Sequence, residues 1–317
     1  MRRTSASTGY LIALLGVTFW SSTGILIAYV TRTWDVAALQ LAFWRDFFVG
    51  VALLVVFLLF SPRRLRLDPA RLPFYLAYGL VLAAFNAIWT LSVTYNGAAV
   101  GTVLAYGSAG FTVILARFLF NEAFTAPKIS AVILSLGGCV LVANAHNPAA
   151  WQGGALAISI GLISGLMFAA YTLMGKETAR RRLDSWSTLF FSFSFAALFL
   201  FFFNQIAGLP GARPGPANLA PAIPLLGWLL IVLLSVGPTI LGYGLYTLSM
   251  NYLPAGIANL ICTLEPSLTA AQAYVLLGER MTPVQIAGSL LVVAAVVVVR
   301  IAEDFRGQKG SADSRAG

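Results

Sequence analysis

Residues 91–129 read LSVTYNGAAVGTVLAYGSAGFTVILARFLFNEAFTAPKI, and residues 248–286 read LSMNYLPAGIANLICTLEPSLTAAQAYVLLGERMTPVQI. Laid over each other at a shift of 157 residues without a gap, Leu91, Ser92, Tyr95 and Ala98 fall on Leu248, Ser249, Tyr252 and Ala255. Thr112, Ala116, Leu119, Glu122, Thr125 and Ile129 fall on Thr269, Ala273, Leu276, Glu279, Thr282 and Ile286. Apolar coincidences are cheap in such a chain. An ungapped Glu-x-x-Thr following a Leu-Ser-x-x-Tyr is not, and it marks an internal repeat.

Composition says what is being repeated. Of 317 residues, 59% are apolar and 10% charged, where a soluble domain carries about 25% charge. Mean hydropathy is +0.85. A soluble enzyme, a disordered chain and a disulfide-stapled secreted domain are all excluded. One His and two Cys leave little metal chemistry, and Cys139 and Cys262 read as small buried residues within apolar segments. A helix needs about 20 apolar residues to cross the hydrocarbon. Ten segments meet that need: 10–30, 36–60, 73–93, 98–119, 129–145, 153–175, 186–207, 225–249, 255–276 and 284–301. Their unbroken apolar runs exclude a transmembrane barrel, whose strands alternate.

The predicted fold is therefore an all-α integral membrane protein of ten transmembrane helices. Five helices span 10–145, an outer linker 146–152 follows, and five more span 153–302. An odd number per unit forces the second copy to enter from the opposite face, so the repeats are inverted. Charge sets the direction. Sixteen of the twenty Lys and Arg fall on one side of this topology, which the positive-inside rule makes cytoplasmic. Residues 1–9 and the polar tail 303–317, read as unstructured, then lie in the cytoplasm of a bacterial inner membrane. The first segment reads as a retained helix, not a cleaved signal. Inverted repeats of this kind typify secondary transporters, with the solute held near the midplane between the halves.

Further residues carry a resemblance. Trp20-Ser21-Ser22 in the first segment, Arg45 in the second, Pro266 in the ninth, and Leu277-Gly278-Glu279-Arg280 with Ile286-Ala287-Gly288 resemble the ten-span EamA-type family of the drug/metabolite transporter superfamily. The first copy departs from it, with Ser108-Ala109 against Glu265-Pro266 and Asn121-Glu122 against Gly278-Glu279. The resemblance covers about residues 9–302. It implies a carrier of small organic metabolites such as amino acids, working as an exporter by alternating access, and not an enzyme.

Charges at mid-membrane cost at least ~2.5–3.5 kcal/mol each and face a bundle interior. Glu265 sits about ten residues into its segment, and helical spacing places Thr269 and Gln272 on its face. This stripe is a candidate solute site, with Glu265 a candidate for proton coupling. Arg45 lies at similar depth beside Asp46, where a solute contact competes with an ion-pair network. Trp20, Asn86, Trp89, Tyr106, Ser108, Tyr243 and Asn259 complete the candidate site, against the plainer reading of core packing. Gly107 and Gly110 stand at the register of Leu264 and Ser267, next to Pro266. With Pro238 they are candidate bending points. Glu122 and Glu279, at matched segment ends, are candidate gating residues.

No Gly-x-x-x-x-Gly-Lys-Ser/Thr loop occurs, so an ion gradient is the expected energy source and no cofactor is expected. The expected partners are a small organic solute, protons and membrane lipid, with no nucleic acid. A channel or packing subunit is the alternative. An intramembrane enzyme is weaker still, because Leu162 precedes Ile163-Ser164-Gly165 where a protease pattern needs Gly.

Overall fold

A computed structural model describes residues 3–151, 154–215, 218–277 and 280–316. The chain runs through thirteen helices among these residues: α1 Arg3–Trp20, α2 Thr23–Trp34, α3 Ala38–Phe60, α4 Leu72–Tyr106, α5 Ser108–Phe120, α6 Ala126–Val142, α7 Gly154–Arg180, α8 Ser185–Asn204, α9 Leu225–Leu234, α10 Ile240–Ser249, α11 Ala255–Cys262, α12 Glu265–Leu277 and α13 Pro283–Ala316. No strand forms among them. Eight stretches are long and apolar enough to cross a bilayer, and α6 is a shorter apolar helix. Together α11 and α12 fill the ninth predicted segment, so all ten expected segments are helical. Large apolar side chains point outward, including Phe60 and Phe118, each 78% exposed. Lipid, not a protein core, is their solvent.

Several membrane segments are built from two helices, each for a local reason. The first breaks at Ser21 and Ser22, whose hydroxyls donate to the Thr18 and Phe19 carbonyls at 2.7 and 2.8 Å and compete with the helical ladder. The eighth passes from α9 to α10 through a π-turn, Ser235–Thr239, that contains Pro238. Proline has no N–H to give the Leu234 carbonyl, and the Thr239 hydroxyl donates there instead at 2.8 Å. In the ninth, Thr263 and Leu264 make tighter i to i−3 bonds to Leu260 and Ile261. Pro266 then sits in the first turn of α12, where a missing N–H costs nothing. Gly107 breaks the first half at the same register, between α4 and α5.

The predicted break at residues 94–97 is absent: α4 is helical throughout. The chain nevertheless reverses there. A methyl at Gly161 of α7 would lie 2.7 Å from Leu104 Cβ and 3.0 Å from Ser92 Oγ. A straight helix would hold residues twelve apart about 18 Å from each other. Asn96 fastens the bend, its amide donating to the Ala157 carbonyl of α7 at 2.7 Å. The physical difference from the second half is one residue. Pro254 stands at the register of Gly97 and forces an open turn before α11, whereas Gly97 does not. The tail departs from expectation too, since α13 continues to Ala316 and no proline interrupts it.

Contacts between loops divide the molecule into two faces. Arg64 meets Asp184 at 3.6 Å on one face, where Glu122 also reaches Ala255. Asp35 meets Arg213 at 3.6 Å on the other, where Gln40 reaches Asn218. Successive segments alternate between these faces, and the turn at Asn96 lies opposite the turn at Leu253. The two five-helix repeats are inverted. Their strongest packing crosses between them: α4 on α7 and α8, α3 on α8, α1 on α10, and α6 on α13.

Candidate functional site

A cavity of about 230 Å³ lies between α2, α3 and α4. Its lining runs from Arg45 and Asn86 at mid-depth, past Trp89 and Thr90, to Val36 and Ala38 near the Asp35 face. Arg45 and Asp46, adjacent on α3, do form a direct ion pair: Arg45 Nε donates to Asp46 Oδ1 at 3.1 Å. Their side chains are 7% and 0% exposed. Asn86 donates to the other carboxylate oxygen at 3.0 Å. The carboxylate is thus satisfied on both sides, but the guanidinium is not. Arg45 Nη2 is buried with no hydrogen-bond partner among the described residues. A buried charged donor without an acceptor is costly, and one bordering a cavity is suited to an anionic or carbonyl oxygen supplied from outside the protein.

The other predicted site residues separate into three further groups. Ser108 donates to Asn259 Oδ1 at 3.0 Å, and Asn259 Nδ2 donates to Thr172 at 2.9 Å. Thr172 in turn meets the Tyr246 hydroxyl at 2.7 Å. This buried chain ties α5, α7, α10 and α11 together across the two repeats. The Tyr106 hydroxyl bonds Glu265 across the two helix breaks. Among the described residues Glu265 has no ion pair. Trp20 and Tyr243 pack ring on ring, with centroids 4.2 Å apart, and Trp20 also meets Phe168 and Tyr246 edge-on.

The polar stripe of α12 faces protein. Thr269 donates to the Ser21 carbonyl at 2.8 Å, and Gln272 donates to Ser21 Oγ at 2.8 Å and the Thr18 carbonyl at 3.0 Å. It satisfies the broken end of α1. A methyl at Gly110 would meet only Val132, at 3.8 Å, so that glycine marks slack beside the α4–α5 break, not a close crossing. Glu122 accepts from the Ala255 N–H at 2.7 Å and the Gly256 N–H at 3.4 Å, capping α11. Its repeat mate Glu279 lies outside the described residues.

Sequence reasoning missed three contributors. Lys176 donates to the Met250 and Leu253 carbonyls at 3.0 and 2.8 Å, closing around the turn that Glu122 holds from the far side. Cys139 donates its thiol to the Thr263 carbonyl at 3.4 Å, covering a group exposed by the helix break. Thr90 lines the cavity one turn from Asn86, a spacing that could have been read from helical periodicity.

Ten helical segments, a midplane polar network spanning two inverted halves, and a cavity ending on a buried arginine define a membrane transporter of the inverted-repeat class. The sequence pattern of the EamA-like transporter family matches residues 7–144 and again 155–301. The chain belongs to that family. An uncharacterized inner membrane transporter, YicL, of Salmonella typhimurium is 25% identical over 308 residues, covering 94% of this chain and 96% of its own. The threonine/homoserine exporter RhtA of Escherichia coli is 28% identical over 261 residues, covering 82% and 79%. A solved crystal structure superposes with a TM-score of 0.74 at 17% identity, over 93% of this chain and 97% of that one. It shares the fold.

Proposed function

We propose that the protein is a secondary exporter of small carboxylate-bearing organic solutes, amino acids or close relatives, working by alternating access. The observation that carries this is Arg45, which lines the cavity and keeps its Nη2 without a hydrogen-bond partner among the described residues. A solute carboxylate there would complete the guanidinium's hydrogen bonds while Trp89 covers an apolar side chain. The name of RhtA agrees with this class and with export.

The conformation fits one half of the cycle. The cavity lies toward the Asp35 face, whereas Glu122 and Lys176 clasp the opposite end around residues 250–256. With the arginine-rich face and both termini cytoplasmic, this is an outward-facing state. Glu265 is the proposed proton site, since its hydrogen-bond partner is a phenol and no cation pairs with it among the described residues. Proton entry would reset the carrier after solute leaves.

The test is counterflow and pH-gradient-driven uptake in proteoliposomes, over a panel of amino acids, their decarboxylated amines and neutral amides. Saturable transport of the acids, with the amines and amides excluded, is expected. Equal transport of amine and acid would remove Arg45 as the recognition group. Flux that rises linearly without saturation would make the protein a channel.

A further inference from the structure

The arginine-rich face holds a second cavity, remote from the first and unused by the transport reading. It measures about 330 Å³ and lies between the 61–71 loop and the start of α8. Arg63, Arg64, Arg66 and Arg71 line it, with Asp68 and Asp184 as the only carboxylates in the lining. Both carboxylates are already engaged. Asp68 pairs with Arg71 Nε at 3.2 Å and accepts from the Ala70 N–H at 3.1 Å. Asp184 pairs with Arg64 Nε at 3.6 Å and caps α8 by accepting from Ser187 N and Oγ at 2.8 and 2.9 Å. Arg63 and Arg66 are left without an ion pair among the described residues, and the lining carries two positive charges in excess.

This is a shaped pocket, not a loose basic tail. Two short 3-10 turns, Pro62–Leu65 and Pro69–Arg71, set the backbone of the loop. The Ser61 N–H anchors it to the Phe57 carbonyl at 2.9 Å, and the Arg64 guanidinium lies over the Phe57 ring, 5.7 Å from its centroid. Little ordering remains to be lost on binding. Guanidinium forks match the paired oxygens of a phosphate. Directly before the loop that lines the pocket, Leu58, Leu59 and Phe60 are 57%, 70% and 78% exposed, an outward apolar edge at the end of α3. A free anion has no use for that edge, but acyl chains do.

We propose that this pocket binds the phosphate headgroup of an anionic phospholipid, whose chains lie along Leu58 to Phe60. The test uses the full-length protein, delipidated in neutral detergent and titrated with short-chain phosphatidylglycerol, phosphatidylcholine or inorganic phosphate. Bound lipid is counted by native mass spectrometry, and melting temperature is followed in parallel. Arg63→Gln/Arg66→Gln is the informative variant because it leaves both ion pairs and the α8 cap intact. Arg117→Gln, outside the pocket, is the control for charge alone. Phosphatidylglycerol is expected to bind wild type and the control alike and to lose at least fivefold in affinity in the double variant. Phosphatidylcholine and inorganic phosphate are expected to bind at least fivefold more weakly than phosphatidylglycerol. A smaller loss in the double variant, or an equal loss in the control, overturns the proposal. Inorganic phosphate binding as tightly as phosphatidylglycerol would make the pocket a free-anion site and overturns it also.

Discussion

Arg45 is asked to do two things at once, and its neighbours show how. Asp46 and Asn86 hold one edge of the guanidinium assembly rigid, so the other edge is offered in a fixed direction. Lysine keeps the charge but not the fork. Arg45→Lys is therefore expected to leave the protein folded and raise the solute Kd by at least about tenfold, close to the loss of one charge-assisted bond. Titration calorimetry on the purified variant checks this. Asp46→Ala should be worse for the fold than for the solute. Stranding a buried cation costs ~3–5 kcal/mol, seen as a large fall in melting temperature. At Glu265, exchange for Gln keeps the bond to Tyr106 but removes the titrating group. Counterflow should survive in Glu265→Gln while the response to a pH gradient disappears; a retained response would assign the proton elsewhere. Arg45 and Glu265 were legible because charge has no business in hydrocarbon. Which of the other polar candidates border the cavity was not legible. Asn86 and Asn259 look alike in sequence, yet one lines the cavity and the other is spent on Ser108 and Thr172.

At the scale of the element, most segment boundaries followed from length and composition alone. The boundary expected at residues 94–97 is where the chain reverses; what the pattern could not reveal is that α4 stays helical through the reversal. Close crossings were only half readable. Gly161 and Gly165 were recognisable as a small-residue pair, and methyls there would meet Leu104 Cβ and the Leu104 carbonyl oxygen at 2.7 and 2.8 Å. The glycine-on-glycine approach of Gly138 of α6 to Gly288 of α13 joins residues far apart in sequence, and spacing within one helix cannot expose it. A methyl at Gly138 would lie 2.6 Å from the Gly288 carbonyl oxygen, while at the adjacent Gly137 nothing lies within 4 Å. Gly138→Ala should cost ~1–3 kcal/mol, and Gly137→Ala should be neutral or gain up to ~1 kcal/mol from helix propensity. Thermal melts of the two variants, side by side in the same detergent, test the crossing directly.

Across the whole molecule, one contact between the two repeats holds one face closed. Glu122 of the first repeat caps α11 of the second on the arginine-rich face. Glu122→Gln should therefore favour opening of the clasped end. The rate of maleimide labelling of a cysteine introduced at Tyr252 reads this out. It is expected to rise severalfold in this variant, and an unchanged rate would leave Glu122 as an ordinary helix cap. The same interleaving bears on how the chain is made. Ribosome and translocon deliver the first repeat before the second exists, so α4 must enter the bilayer as a bent pair of legs. Its Asn96 amide then waits for the Ala157 carbonyl until α7 has been synthesised. Until that moment Asn96 has only Ser92 of its own helix to donate to, and the two apolar legs lack their main neighbour. The two halves are therefore repeats in ancestry but not in assembly: expressed alone, the first should be degraded, and co-expressed with the second it should be rescued.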